Sequence, residues 1–144
     1  MDETKKILVA VYGSLRAGLG NHDLLTRNKA KYVGEYRTDP YYSLHSLRTF
    51  PALTKNGHTS IVMEVYEIDY QGLVSVDALE NYTPGSKFNN FYVREKIDTP
   101  YGEAYAYFYV PSTSKLEKVH SGDWKEYYEE TIVLNKILEN ADII

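Results

Sequence analysis

Two stretches of this 144-residue chain carry residues whose types and spacing could do chemistry. The first is 7–20, ILVAVYGSLRAGLG, where an apolar run breaks into a loop holding Gly13, Gly18 and Gly20. Gly13 and Gly18 permit positive φ and the close approach of a ligand, and the amides of Gly13, Ser14 and Leu15 can converge into a concave nest for an anion. The second is the end of a helix predicted over 70–81. At about 100° per residue, Leu79, Val76, Glu80 and Leu73 fall in that angular order on one face, so Glu80 lies inside an apolar stripe. A purely solvated glutamate is not expected there. Asp77 falls at the edge of the same face and is expected to be half exposed.

Neither stretch fits a familiar nucleotide or hydrolase motif. The spacing of Gly13 and Gly18 is half of a phosphate-binding P-loop, but Leu19 and Gly20 stand where Lys and Ser/Thr are required. Ser14 is not in a G-x-S-x-G elbow, which argues against a nucleophilic serine. On loop statistics alone, a plain turn after a core strand is the better reading of 12–20. His22, His45, His58 and His120 are far apart with no ligand-like spacing, so no metal is expected.

The elements that must position these residues follow from pattern. Residues 7–11 lack polar alternation and read as a strand buried on both faces. Asn21, His22 and Asp23 can cap a short helix with Leu24 and Leu25 inward. Strands are predicted over 32–38, 41–47 and 61–68, the last with Ile61, Met63 and Val65 on one face. Residues 50–53 read as an apolar loop in which Pro51 is structurally special, and Asp69 caps the helix that carries Glu80. Strands over 91–98 and 103–110 form an antiparallel hairpin. In the second, Tyr105, Tyr107 and Tyr109 alternate with Ala104, Ala106 and Phe108, giving a core face and a tyrosine face that is either surface or cavity wall. A last helix opens at Ser121-Gly122-Asp123, with a stripe of Trp124, Tyr127, Tyr128, Thr131, Leu134 and Leu138. Val133 and Ile137 fall on its other side, where either a homo-oligomeric contact through this helix or fraying of the helix would account for them.

Composition sets the outer bounds. The length suits one domain, 1–144, and no internal repeat or low-complexity tract divides it. A net charge of −4 with no basic stripe argues against nucleic acid as a partner. The absence of cysteine excludes disulfides and a thiol nucleophile, and fits a reducing compartment. With no apolar leader and no membrane-length run, a cytoplasmic protein with no membrane partner is expected. Fifteen tyrosines suit wet strand faces or a polar-lined cavity.

The motifs resemble the γ-glutamylcyclotransferase-like family, specifically its small single-domain branch that includes the γ-glutamylamine cyclotransferases. The matching pieces are VAVYGSLRAGLGN with Leu24-Leu25, Val33-Gly34, Phe50-Pro51-Ala52-Leu53, Glu64-Val65-Tyr66-Glu67-Ile68, Asp77-Ala78-Leu79-Glu80-Asn81-Tyr82, Tyr92-Val93-Arg94 and Ser121-Gly122-Asp123-Trp124. The order and spacing of the Tyr-Gly-Ser-Leu loop and the Asp-x-Leu-Glu helix end are the specific part. Two features depart from the family pattern: the 82–92 connection, YTPGSKFNNFY, is long, and the last helix runs well past Ser-Gly-Asp-Trp.

The resemblance implies an α+β fold, a small mixed and partly open β-barrel with flanking helices and a cavity at its mouth. It implies that Tyr12, Gly13, Ser14 and Leu15 cradle a small-molecule γ-glutamyl substrate and that Glu80 is the catalytic acid/base. The implied reaction is attack of the substrate's α-amine on its own γ-carbonyl, releasing 5-oxoproline and an amine or amino acid with no cofactor. A non-catalytic binding or adaptor module on the same fold, and removal of a γ-glutamyl group from a larger, carrier-bound substrate, stay open beside it. So does a structural ion pair between Glu80 and an arginine such as Arg94. Arg16 and Arg94 are either partners of substrate carboxylates or surface charges, and Tyr82 and Tyr92 are rim candidates.

Overall fold

A computed structural model describes residues 5–83 and 91–141. In chain order the elements are β1 (Ile7–Val11), α1 (His22–Arg27), β2 (Lys31–Arg37), β3 (Tyr42–Ser46), β4 (Pro51–Lys55), β5 (Val62–Ile68), α2 (Tyr70–Leu79), β6 (Tyr92–Thr99), β7 (Gly102–Tyr109), β8 (Glu117–Lys118), α3 (Trp124–Tyr127) and α4 (Leu134–Ala141). A π-helical stretch, Tyr128–Val133, joins the last two. The long connection expected over 82–92 falls largely on 84–90, outside the described residues.

The unbroken apolar run of β1 is explained by its place at the centre of a five-stranded sheet, β2-β5-β1-β7-β6. It pairs antiparallel with β5 and parallel with β7. On one face Ala10 joins Leu44, Leu53, Met63, Ala106, Phe108 and Trp124, beneath a second sheet of order β4-β3-β8. On the other, Val9 and Val11 meet Leu25 of α1 and Leu73 and Val76 of α2. The sheets curve around the first cluster without closing, which gives the expected α+β, partly open barrel with flanking helices.

Residues 50–53 are not a loop. Pro51 begins β4, pairing with Ser46 of β3. Proline is tolerated there because β4 is an edge strand and its first residue needs to donate no ladder hydrogen bond. Pro51 also explains Gly13: a Cβ at position 13 would sit 2.7 Å from Pro51 Cγ, so the glycine is required for space. Gly18 is required for conformation, with φ of +87°.

Arg16 is neither a surface charge nor a substrate partner. It is 4% exposed, and its guanidinium donates from Nε to Glu64 Oε2 and from Nη1 to Asp123 Oδ1, both at 2.8 Å. The Ala17 amide and the Tyr66 hydroxyl donate to the other Glu64 oxygen at 2.9 and 2.7 Å. Burial opposes ionisation of Glu64, but these donors outweigh it and hold the carboxyl below its ordinary pKa. Asp123 is lowered in the same way, against burial, by Arg16 and the Glu126 amide. The glycine loop is thereby tied to β5 and to the start of α3.

The last helix departs from its expected stripe. Trp124 is buried and Tyr127 and Tyr128 pack beside it, but Leu134 is 48% and Leu138 52% exposed, as Val133 and Ile137 are exposed. The helix does not fray at Val133; it continues to Ala141. The π-helical stretch adds residues per turn after Tyr127 and breaks the 3.6-residue register on which the stripe depended.

Replacing Arg16 with alanine strands two carboxylates that folding has withdrawn from water. We expect a loss of about 3–5 kcal/mol in urea denaturation at pH 7. The gap from the native chain should narrow as pH falls and the stranded carboxyls protonate. A loss under about 1 kcal/mol, typical of an exposed pair, would show that the network is dispensable.

Candidate active site

The glycine loop, the end of α2 and the tyrosine face of β7 converge on a cavity of ≈ 320 Å³. Tyr12, Gly13, Ser14 and Leu15 form one side, and Leu79, Glu80 and Asn81 another. Tyr107 and Tyr109 line it as well, so this part of the tyrosine face is cavity wall, while Tyr105 lies outside the lining. Leu47, Phe50, Pro51, Phe91 and Tyr92 complete the lining.

Several hydrogen bonds set the shape of the loop. The Arg16 amide donates to the Gly13 carbonyl, and the Asn21 amide to the Ser14 carbonyl, at 3.0 and 2.9 Å. Asn21 does not cap α1 with its side chain; its Nδ2 donates to Ser14 Oγ at 2.8 Å instead. That leaves the Ser14 hydroxyl proton free to donate elsewhere. His22 Nδ1 lies 2.9 Å from the Leu15 carbonyl, which can only accept, so Nδ1 carries the proton. Among the described residues, the amides of Gly13, Ser14 and Leu15 donate to no other backbone group. Tyr12 contributes its ring, because its hydroxyl donates to the Tyr107 carbonyl.

Glu80 is placed by the way its helix ends. The Asp69 carboxylate accepts from the Gly72 amide at 2.8 Å to start α2. At the other end, Asn81 takes φ of +54°, its amide donates to the Ala78 carbonyl, and the Tyr82 amide donates to Asp77. This is a Schellman closure with asparagine in the left-handed position, and it makes Glu80 the C-cap. Burial first, and the charge of Asp77 second, raise the Glu80 pKa to about 7. The negative end of the helix dipole acts in the same direction. Among the described residues Glu80 makes no ion pair.

The expected half-exposed Asp77 is instead buried, at 6% exposure. Its Oδ2 accepts from Arg94 Nη1 at 2.5 Å and its Oδ1 accepts from the Tyr107 hydroxyl. Arg94 therefore answers Asp77, and the expected alternative of a Glu80–Arg94 pair is not what forms. A helical wheel counts only the helix's own residues, so it could not show that a cation and a phenol from the hairpin would cover this edge. Tyr92 does line the cavity, with its hydroxyl on the Pro51 carbonyl at 2.7 Å. Tyr82 packs against Tyr107 and Arg94 outside that lining. The apolar wall of Leu47, Phe50 and Phe91 had no signal in the sequence beyond the Phe50-Pro51 piece of the resemblance.

The chain that builds this cavity has counterparts among known proteins. Residues 9–126 match the family model for gamma-glutamyl cyclotransferase, AIG2-like proteins. The chain belongs to this family. The Escherichia coli K12 gamma-glutamylcyclotransferase family protein YtfP is 38% identical over 116 residues, covering 81% of this chain and 94% of that one. The solution structure of E. coli YtfP superposes with a TM-score of 0.64, over 82% of this chain and 96% of that one. An uncharacterized protein from Pyrococcus horikoshii gives a TM-score of 0.69 at 26% identity, over 86% and 94% of the two chains. The family match ends at 126, so the π-helical stretch and α4 lie beyond it.

The raised pKa of Glu80 links its proton to stability. Its folded value lies above the unfolded one, so the protonated side chain stabilises the fold fully below about pH 4.5, and this is lost as pH rises through about 7. Glu80→Gln should remove that dependence. Melting temperatures of the native chain and the variant should diverge between pH 4.5 and 7.5, with the variant gaining relative to the native chain as pH rises. Parallel curves would mean that the carboxyl is not desolvated.

Proposed function

We propose that this chain is a cyclotransferase that converts a γ-glutamyl compound into 5-oxoproline and a free amine or amino acid. The observation that carries this reading is a carboxyl of raised pKa, with no ion-pair partner among the described residues, on the wall of a small cavity that the Tyr-Gly-Ser-Leu loop also lines. A binding module of the same fold would have little use for such a group, since an unpaired desolvated carboxyl costs stability and offers a ligand no fixed charge.

In the proposed reaction the substrate α-ammonium yields a proton to the Glu80 carboxylate. The freed amine adds to the γ-carbonyl carbon, forming the new C–N bond of a five-membered ring, and the former carbonyl oxygen takes up negative charge. Collapse of this tetrahedral species breaks the bond to the leaving nitrogen, which receives the proton from Glu80, and the ring nitrogen gives up its remaining extra proton to the expelled amine, which departs as an ammonium ion. Atoms and charge balance with no redox partner. Both reacting groups belong to one molecule, so the cavity's main contribution is to hold it bent, which removes an entropic part of the barrier.

A pKa near 7 suits both halves of that proton transfer, because the group must be a competent base and then a competent acid at one pH. The Gly13, Ser14 and Leu15 amides, with the Ser14 hydroxyl, are suited to hold the substrate carboxylate or the developing oxyanion. The apolar wall lowers the local dielectric beside these charges, which strengthens each contact.

The test is a panel of γ-glutamyl amines and γ-glutamyl amino acids, assayed for 5-oxoproline. Glu80→Gln should keep binding within a fewfold by calorimetry while turnover drops about 10²–10⁴-fold, the usual contribution of a positioned acid/base. A variant that retains turnover within tenfold of the native enzyme contradicts the assignment of Glu80. Binding of the panel without 5-oxoproline release by the native chain would favour the binding module.

A further inference from the structure

The clamp on Asp77 lies one helical turn from Glu80, and nothing in the proposed reaction uses it. Residues three apart share a helix face, so whatever fixes Asp77 also fixes the direction in which Glu80 projects. The clamp is built from a directly opposed cross-strand pair: Arg94 of β6 faces Tyr107 of β7 in the hairpin register. Each gives its hydrogen bond to a different oxygen of the Asp77 carboxylate. We propose that Asp77 is a positioning residue, which locks the last turn of α2 to the β6–β7 hairpin so that Glu80 faces the cavity.

Three features of the surroundings argue for a built device rather than an incidental ion pair. Arg94 is held on its own side by the ring of Tyr105, 4.6 Å from the guanidinium, and by Tyr82 at 5.5 Å. Tyr107 is itself cavity wall, and its carbonyl accepts from the Tyr12 hydroxyl. One carboxylate thereby joins the helix end to the tyrosine wall and, through Tyr107, to the Tyr-Gly-Ser-Leu loop. The carboxylate is also satisfied at both oxygens, so it is unsuited to act on substrate itself.

The titratable groups acting on Glu80 come from every element around it. Asp77 lies on its own helix, Tyr12 follows β1, Tyr92 is on β6 and Tyr107 is on β7. Burial keeps all three phenols neutral, and Arg94 faces Asp77. Asp77 is thus the charged neighbour that favours a protonated Glu80, and its removal should lower the pH at which Glu80 titrates. That shift follows from the charge of Asp77 alone, so the positioning role is read from kcat.

This inference rests on Glu80 being the acid/base of the proposed reaction, and the test separates the two. Asp77→Asn preserves size but can satisfy only one of its two donors as an acceptor, and Asp77→Glu restores the charge with one added methylene. With the panel substrate that releases most 5-oxoproline, Asp77→Asn should lower kcat at least tenfold and change KM less than threefold. The acid limb of its kcat/KM profile should move to lower pH, and Asp77→Glu should return that limb toward the native position. Independently of activity, the melting-temperature difference between Asp77→Asn and the Asp77→Asn/Glu80→Gln double variant should level off at lower pH than the corresponding native difference. A fall in melting temperature with kcat per folded enzyme, the acid limb and the levelling point all unchanged would overturn the inference. Full activity in Glu80→Gln would overturn the assignment of Glu80 as acid/base instead, and the melting comparison would still decide whether Asp77 sets the state of Glu80.

Discussion

A guanidinium removed from water has to be met by carboxylates, and much of this structure follows from how Arg16 meets that demand. Its side chain leaves the glycine loop and ends between Glu64 of β5 and Asp123 ahead of α3. Three segments distant in sequence are fixed to one another by a single planar group. The loop cannot move away from the barrel without breaking charge-assisted hydrogen bonds in a site of low dielectric. That constraint holds Gly13, Ser14 and Leu15 along the cavity, while Pro51 packs against Gly13 from the other side. The network is a structural investment away from the cavity, and it shapes the ligand-facing side of the loop indirectly.

The opposite wall is organised by a different constraint, the need to end a helix. Asn81 adopts the left-handed conformation, two amides turn back onto α2, and the C-cap position that results belongs to Glu80. A carboxyl at that place meets the negative end of the helix, apolar neighbours and Asp77, all of which favour its protonated form. The chain thus contains two acids three positions apart with opposite environments. Asp77 is paired with a cation and accepts from a phenol, whereas Glu80 makes no ion pair among the described residues. In the proposed site, one helix turn thus holds one carboxylate for structure and another for proton transfer.

The sequence was most readable where a local rule decides the outcome. The uninterrupted apolar run of β1, the alternation in β7 and the Asp69 cap each depend on neighbours within a few residues, and each took its expected form. The place of Glu80 on the cavity wall was legible because its position in the apolar stripe and its motif context agreed. What failed depended on partners far along the chain. Arg16 has no local sign that Glu64 and Asp123 will enclose it, and Asp77 has none that Arg94 and Tyr107 will. Pro51 reads as a loop residue until its edge position in the second sheet is known. The stripe of the last helix was lost to a π-helical stretch, for which 3.6-residue periodicity has no term.

The account turns on one physical quantity, the protonation of Glu80 in the folded protein. It can be read directly by following the side-chain carboxyl carbon in a protein with ¹³C-labelled glutamate, with Glu80→Gln used to assign the signal. The account predicts a titration midpoint near pH 7, well apart from the exposed glutamates. A midpoint near 4.5, merged with the other glutamates, would mean that the helix-end carboxyl is solvated and would contradict the proposed site.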